Sequence, residues 1–212
     1  MLRVPGKKPT DIPLLQSAPP KPEEIVILNQ RLLKAVISMS SLLAGMDANW
    51  AVGGDAGEII MGVNVDADRL EVITTSGGCE EIAKRLSKHQ KIAPSLTDRR
   101  LARDAELSEG SLPVHVRSRY AEFEIEGVKV EVYGELQIRV GDWDWGDPLE
   151  FVPDFSYVVG QKVPVVPLRL KSELDLGLGW LDRVQKISDA ALRRRHKHLG
   201  KFLVPLEDSN WG

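Results

Sequence analysis

Apolar residues change their spacing several times along this chain, and each change marks an element. Ile25, Leu28, Leu32 and Val36 follow a 3.6-residue period. Leu33, Ile37, Leu42 and Leu43 widen that stripe. The spacing predicts a well-buried helix from Pro22 to Met46, with Glu23 and Glu24 in its first turn and Gly45 ending it. Trp50 to Val52 is a short apolar run that stops at Gly53-Gly54, as a strand does at a glycine turn. Asp55 to Met61 returns to a helical pattern, which Asp55 can cap and Gly62 ends. Leu70 and Val72 alternate with Arg69 and Glu71, predicting a strand over Arg69 to Thr74. After the turn Ser76-Gly77-Gly78, Ile82, Ala83 and Leu86 share one face of a helix from Glu80 to His89. Ile92 to Gly110 is polar without a period, read as a loop with a short helix over Asp98 to Leu107.

Period two then takes over. Val114, Val116, Ala121, Phe123 and Ile125 alternate with polar residues. Glu126-Gly127 is a turn signal, and Val128, Val130 and Val132 continue the alternation, so a β-hairpin with one buried face is expected. Two further strands are predicted at Phe155 to Val159 and Lys162 to Val166. Helix resumes from Leu168 to Lys186, broken around Gly177 and Gly179, and Ser188 caps a final helix to His198 before Gly200. The order implies an α/β (α+β) domain: a mixed β-sheet with helices mainly on one face and a C-terminal helical extension. Residues 1–22 hold six prolines and read as an extended arm. The domain proper is expected over 23–166, with the extension, 167–212, packed on it.

Composition narrows the class. Apolar residues at 42% and charged residues at 28% are those of a folded globular domain. A net charge of -3 disfavours a whole-surface nucleic-acid binder and leaves room for a local basic patch. The lone Cys79 excludes an internal disulfide and a cysteine-rich zinc site, and it suits a cytoplasmic location. No apolar stretch approaches the ~20 residues of a membrane span.

Val52-Gly53-Gly54 followed by a helix, an acid-bearing strand, and a later strand with the lone acid Glu131 resembles the nucleotidyltransferase fold of the DNA polymerase β superfamily. Val163 to Leu168 (VPVVPL), with Leu178-Gly179 and Asp182-Arg183 beyond it, is similar to a later segment of the small prokaryotic AbiEii-type nucleotidyltransferases. The resemblance covers roughly Pro22 to Ile187. It implies transfer of a nucleoside monophosphate from a nucleoside triphosphate to an acceptor, protein or nucleic acid, with release of pyrophosphate. In such chemistry Mg²⁺ clamps the attacking and leaving oxygens. Carboxylates at i and i+2 of one strand and a third on a neighbour would supply its oxygen shell. Gly53 and Gly54 would let backbone amides approach the phosphates.

One position departs from that pattern. Where the family has Asp-hydrophobic-Asp-hydrophobic, this chain has Arg69-Leu70-Glu71-Val72. A cation cannot ligate Mg²⁺. Asp55, just after the glycines, would also repel a triphosphate. Two readings follow. Asp66 or Asp68, themselves an i, i+2 pair, could replace the missing ligand and hold Mg²⁺ with Glu71 and Glu131. Catalysis would then rest on Asp68, Glu71 and Glu131, with Gly53, Gly54, Asp55 and Arg69 lining the nucleotide. Alternatively the motif is degenerate, Arg69 pairs with Glu71 or Glu131, and the fold serves as a catalytically inactive nucleotide-binding or protein-interaction module.

Other features carry weaker chemistry. Arg193 to His198 (RRRHKH), extended by Lys201, reads as a solvated helix end or as a phosphate-contacting surface. Trp143 and Trp145 in GDWDWGD either fold over the core edge or stack on a partner. Cys79 begins a helix, a position that lowers a thiol pKa, but it has no neighbouring base and reads as buried and inert.

Overall fold

The computed structural model describes residues 28–100, 113–177 and 180–200, and the side chains of these except 99, 100, 177 and 194–200. The proline-rich arm and most of the polar stretch after Arg100 lie outside the described residues.

Seven strands form one mixed sheet: β1 (Trp50–Gly53), β2 (Leu70–Thr74), β3 (Gln90–Arg100), β4 (Val114–Ile125), β5 (Val128–Val140), β6 (Asp154–Val158) and β7 (Gln161–Val165). Their order across the sheet is β3-β4-β5-β2-β1-β7-β6. β1 runs antiparallel to β2 and parallel to β7, and β2 runs parallel to β5. The hairpins β4–β5 and β6–β7 are antiparallel, as is β3–β4. The helices are α1 (Gln30–Leu42), α2 (Gly54–Ile60), α3 (Gly78–Arg85), α4 (Leu168–Gly177) and α5 (Leu181–Gly200), with a 3-10 turn at Ser87–His89.

Alternation along the strands decides which face is dry. Leu70, Val72, Val130, Val132, Phe123 and Val52 point into one core with Leu32, Val36 and Met39 of α1, Ile82 of α3, and Ile187 and Ala190 of α5. Helices therefore cover mainly one face. On the other, Ala51, Phe151 and Val166 form a small buried apolar cluster, and Glu71 and Glu131 take the alternate positions. Glu126 and Gly127 both have positive φ, 53° and 71°, in the two-residue turn joining β4 to β5.

Several boundaries differ from the sequence expectation, and three of the differences have a clear physical cause. α1 begins at Gln30, because Asn29 accepts a hydrogen bond from the Leu32 amide and caps the helix there. The periodic Leu28 precedes the cap yet still packs in the core. Asp98 and its neighbours extend β3 rather than starting a helix; Asp98 pairs with Arg117 and Arg100 with His115. An edge strand wet on both sides shows no apolar alternation, and Pro94 falls where its ladder is irregular. Ser188 lies inside one continuous α5, exposed, while Ile187 and Ala190 keep the buried stripe unbroken across it. Among the described residues no helix is long and apolar enough to cross a membrane.

Candidate functional site

The site grows from register. β2 and β5 are parallel neighbours with Glu71 beside Glu131, one strand apart on the uncovered face. Arg69 enters that face from just before β2. Its guanidinium lies 3.2 Å from Glu71 Oε1 and 3.1 Å from Glu131 Oε2, so it stands between the two carboxylates. Asp68 lies 3.5 Å from the same guanidinium and is otherwise exposed.

Glu131 is saturated by donors. Lys129 Nζ reaches Oε1 at 2.7 Å. The Tyr133 hydroxyl donates to Oε2 at 2.9 Å and the Tyr120 hydroxyl to Oε1 at 3.3 Å. Burial pushes its carboxyl up, but the hydrogen bonds from Lys129 and Tyr133 and the charges of Lys129 and Arg69 outweigh it and hold the group below the usual range. Tyr120 moves the other way: burial and its bond to Glu122 push its hydroxyl up to about 12. Glu71 is held above the ordinary carboxylate value, chiefly by burial, with Arg69 opposing.

Gly54 has φ +54°, and a Cβ built there would lie 2.5 Å from Glu71 Oε2. A side chain there would be strained by the backbone and would push the Glu71 carboxylate aside, so the object filling the turn is the protein's own carboxylate. Asp55, beyond it, is paired with Arg183 of α5. The same guanidinium donates to Glu58 at 3.0 Å, and Lys171 of α4 lies 3.1 Å from Glu58. Lys171 also pairs with Asp175, whose second oxygen is buried without a partner. This network clamps α4 and α5 to α2. Lys129, Tyr133, Glu58, Lys171 and Asp175 join these networks without a motif in the sequence to single them out as site residues. Glu58 had a sequence signal, a lone acid on the apolar side of a short helix.

The sequence candidates therefore separate. Glu71, Glu131 and Arg69 come together beside Gly54. Asp66 instead lines an open groove of about 560 Å³ with Asn64, Arg183, Lys186, Asp189 and Arg193. Among the described residues no three or more His, Cys, Asp or Glu groups are placed to hold a metal ion. Mg²⁺ needs a near-octahedral oxygen shell at ~2.0–2.1 Å. With both Glu131 oxygens donated to and a guanidinium between the carboxylates, this donor set does not fit that ion.

The remaining features resolve simply. Trp145 folds back between Arg117 and Arg139, whose guanidinium carbons lie 4.1 and 4.8 Å from its ring centre, while Trp143 is exposed. Arg193 donates to the Gly62 carbonyl at the end of α2; side chains 194–200 are outside the described set. Cys79 is buried, and desolvation pushes its thiol up to about 12, so it is an inert core cysteine.

No protein-family model matches the chain, and no curated protein matches it. Among solved structures it is similar to TM1012 of Thermotoga maritima, whose description as a nucleotidyltransferase is itself provisional. The two share 22% identity and a TM-score of 0.61 over 81% of this chain and 96% of that one. The lincosamide antibiotic adenylyltransferase LnuA, solved with lincomycin, aligns at 8% identity over 77% of this chain and 98% of its own, with a TM-score of 0.47. An antigenic nucleotidyltransferase-like protein of Paracoccidioides brasiliensis aligns at 10% identity over 76% and 77%, with a TM-score of 0.39. The last two are too distant to carry an argument. The first shows the fold: this chain has a nucleotidyltransferase-like architecture.

Proposed function

We propose that this chain is a nucleotidyltransferase-fold protein whose transfer site is closed by its own side chains, and that it acts as a binding module rather than as a Mg²⁺-dependent transferase. The observation that carries the reading is Arg69, seated within 3.2 Å of both carboxylates that would have to share a metal. A fixed guanidinium neutralises the pair with no ion bound, so a metal would have to displace it. Glu71 against Gly54 fills the glycine turn in the same way. Incubation with each labelled nucleoside triphosphate and Mg²⁺ or Mn²⁺ is expected to give no labelled product. A thermal-shift titration with the same nucleotides is expected to show at most a small stabilisation that EDTA leaves unchanged.

The second reading is Mg²⁺-dependent transfer of a nucleoside monophosphate, with Glu71 and Glu131 at the metal and Gly53 and Gly54 at the phosphates. The observation favouring it is the side-by-side register of Glu71 and Glu131 next to Gly54. Metal-dependent labelling that Glu71→Ala and Glu131→Ala each abolish would establish it and overturn the first.

A further inference from the structure

Charge is divided unevenly along this chain. Residues 190–201 hold Arg193, Arg194, Arg195, Lys197 and Lys201 and no acid. With the whole chain at -3, that run is +5 and the other 200 residues together are -8. α5 keeps a helical backbone from Leu181 to Gly200, and Ile187 and Ala190 fix it to the core. Arg193 donates to the Gly62 carbonyl at the end of α2, which ties the first cation of the run to the domain.

The cations nearest the sheet are matched: Arg69, Lys129, Lys171 and Arg183 each meet a carboxylate. Lys186 and Arg193, about two turns apart on one side of α5, pair with no carboxylate among the described residues. They line the groove of about 560 Å³, which Asp66 and Asp189 keep close to neutral, and the surplus lies in the run beyond it. The chain outside the described residues is too weakly acidic to cancel that surplus. Residues 1–27 are net +1, 101–112 net -2 and 202–212 net -2, so the two acidic segments together fall short of +5.

We propose that the C-terminal half of α5, entered past Lys186 and Arg193, is a contact surface for the phosphate backbone of a nucleic acid, bound without base specificity. Arginine leads the run, and its planar fork takes phosphate oxygens two at a time. Positions 193, 194 and 195 lie ~100° apart around a helix, so they cannot share one side. A phosphate backbone can follow such a ring of charge, whereas the face of an acidic protein meets one side of it. An anionic bilayer fits less well, because a helix lying on a membrane needs a free apolar stripe. Ile187 and Ala190 of α5 are buried in the core, and its exposed leucines, Leu181 and Leu192, stand about three turns apart. The inference names a partner class for the binding-module reading but does not rest on the closed site, so either can fail alone.

Fluorescence anisotropy of the full chain with a labelled mixed-sequence oligonucleotide of about 20 residues tests it, as single-stranded DNA, duplex DNA and RNA. Four phosphate contacts predict a log–log salt slope of about -3.6 on duplex, hence a roughly 100-fold loss of affinity from about 50 to about 200 mM salt. The triple variant Arg194→Ala, Arg195→Ala, Lys197→Ala should bring that slope toward about -1 and weaken binding at least ~10-fold at about 100 mM salt. A control with the same charge loss on α1 and α3, Arg31→Ala, Lys34→Ala, Lys84→Ala, should leave the slope unchanged. No binding of any probe at about 50 mM salt overturns the proposal, as does a control that weakens binding as much as the α5 variant. Binding that appears only in the full-length Glu207→Gln, Asp208→Asn variant also overturns it and assigns the run to the chain's own C-terminal residues. Binding to phosphatidylcholine vesicles with about 30% phosphatidylserine, but to no oligonucleotide, overturns it in favour of a membrane.

Discussion

Replacing Arg69 by Met keeps the aliphatic stem and removes the charge that separates Glu71 from Glu131. The cost can be bounded from exposure. The Arg69 side chain is 45% exposed and Glu71 26%, so their pair is worth the ~0–1 kcal/mol of a screened surface bridge. Glu131 is only 8% exposed and loses one of two cations, while Lys129 and two tyrosine hydroxyls remain. That raises the total to about 1–2 kcal/mol, below the ~3–5 of a fully broken buried pair. For a chain of this size each kcal/mol moves the melting temperature by roughly 2–4 °C, so a drop of about 2–8 °C is expected near pH 7.

The pH dependence of that drop is signed. Glu131 has a depressed pKa, so its stabilising contribution is present above the ordinary carboxylate value and is lost as pH falls through its native one. Glu71 has a raised pKa, which Arg69 restrains. Without Arg69 it rises further, and the cost of ionising it grows as pH climbs through the native value. Both terms make the deficit of Arg69→Met small in acid and full near neutrality. If the site is closed as proposed, the variant should also gain a response to divalent cations that the parent does not show. With a dissociation constant of ~1 mM, ~10 mM Mg²⁺ would return about 1.4 kcal/mol. Differential scanning fluorimetry from acid to neutral pH, with Mg²⁺ or EDTA, reads both effects. An Arg69→Met protein as stable as the parent at neutral pH and indifferent to Mg²⁺ would refute the claim that the guanidinium stands in for a metal.

Glu58→Gln should be the most damaging charge removal in the clamp, since Glu58 is buried and accepts from Arg183 and Lys171; a loss of roughly 3 kcal/mol is expected by urea titration. Gly54→Ala should cost ~1–3 kcal/mol from its positive φ and the clash with Glu71, and the carboxylate part of that clash should vanish in a Glu71→Ala background, leaving the φ part and the 3.1 Å contact with the residue 71 Cβ, as a double-mutant cycle will read. Burial raises the Asp175 pKa, opposed by Lys171, so its contribution to stability is fully present in acid and is lost as pH rises through the native value. Asp175→Asn should flatten that segment of the stability–pH curve, and an unchanged slope would count against a strained buried carboxylate.

How much was legible depended on how local the cause was. The strand over Arg69 to Thr74 and the hairpin from Val114 were readable because one dry face imposes period two on the residues themselves. The turn at Gly54 was readable, since few residues accept its left-handed backbone. β3 was not readable, because an edge strand wet on both sides is held by its partner β4 rather than by its own pattern. The start of α1 was misplaced because apolar spacing continues through Leu28 past the true cap at Asn29.

By itself the sequence determined the alternation that puts Arg69, Glu71 and Glu131 on the uncovered side of the sheet, and it showed a cation where an acid belongs. Only the tertiary structure decided what that cation does. Parallel pairing of β2 with β5, strands separated by more than fifty residues of chain, brings Glu131 beside Glu71 and so gives Arg69 two carboxylates to bridge. The clamp of Glu58, Lys171, Asp175 and Arg183 was decided there too. Charges can be buried only where partners from other elements neutralise them, and those partners are neighbours in space alone.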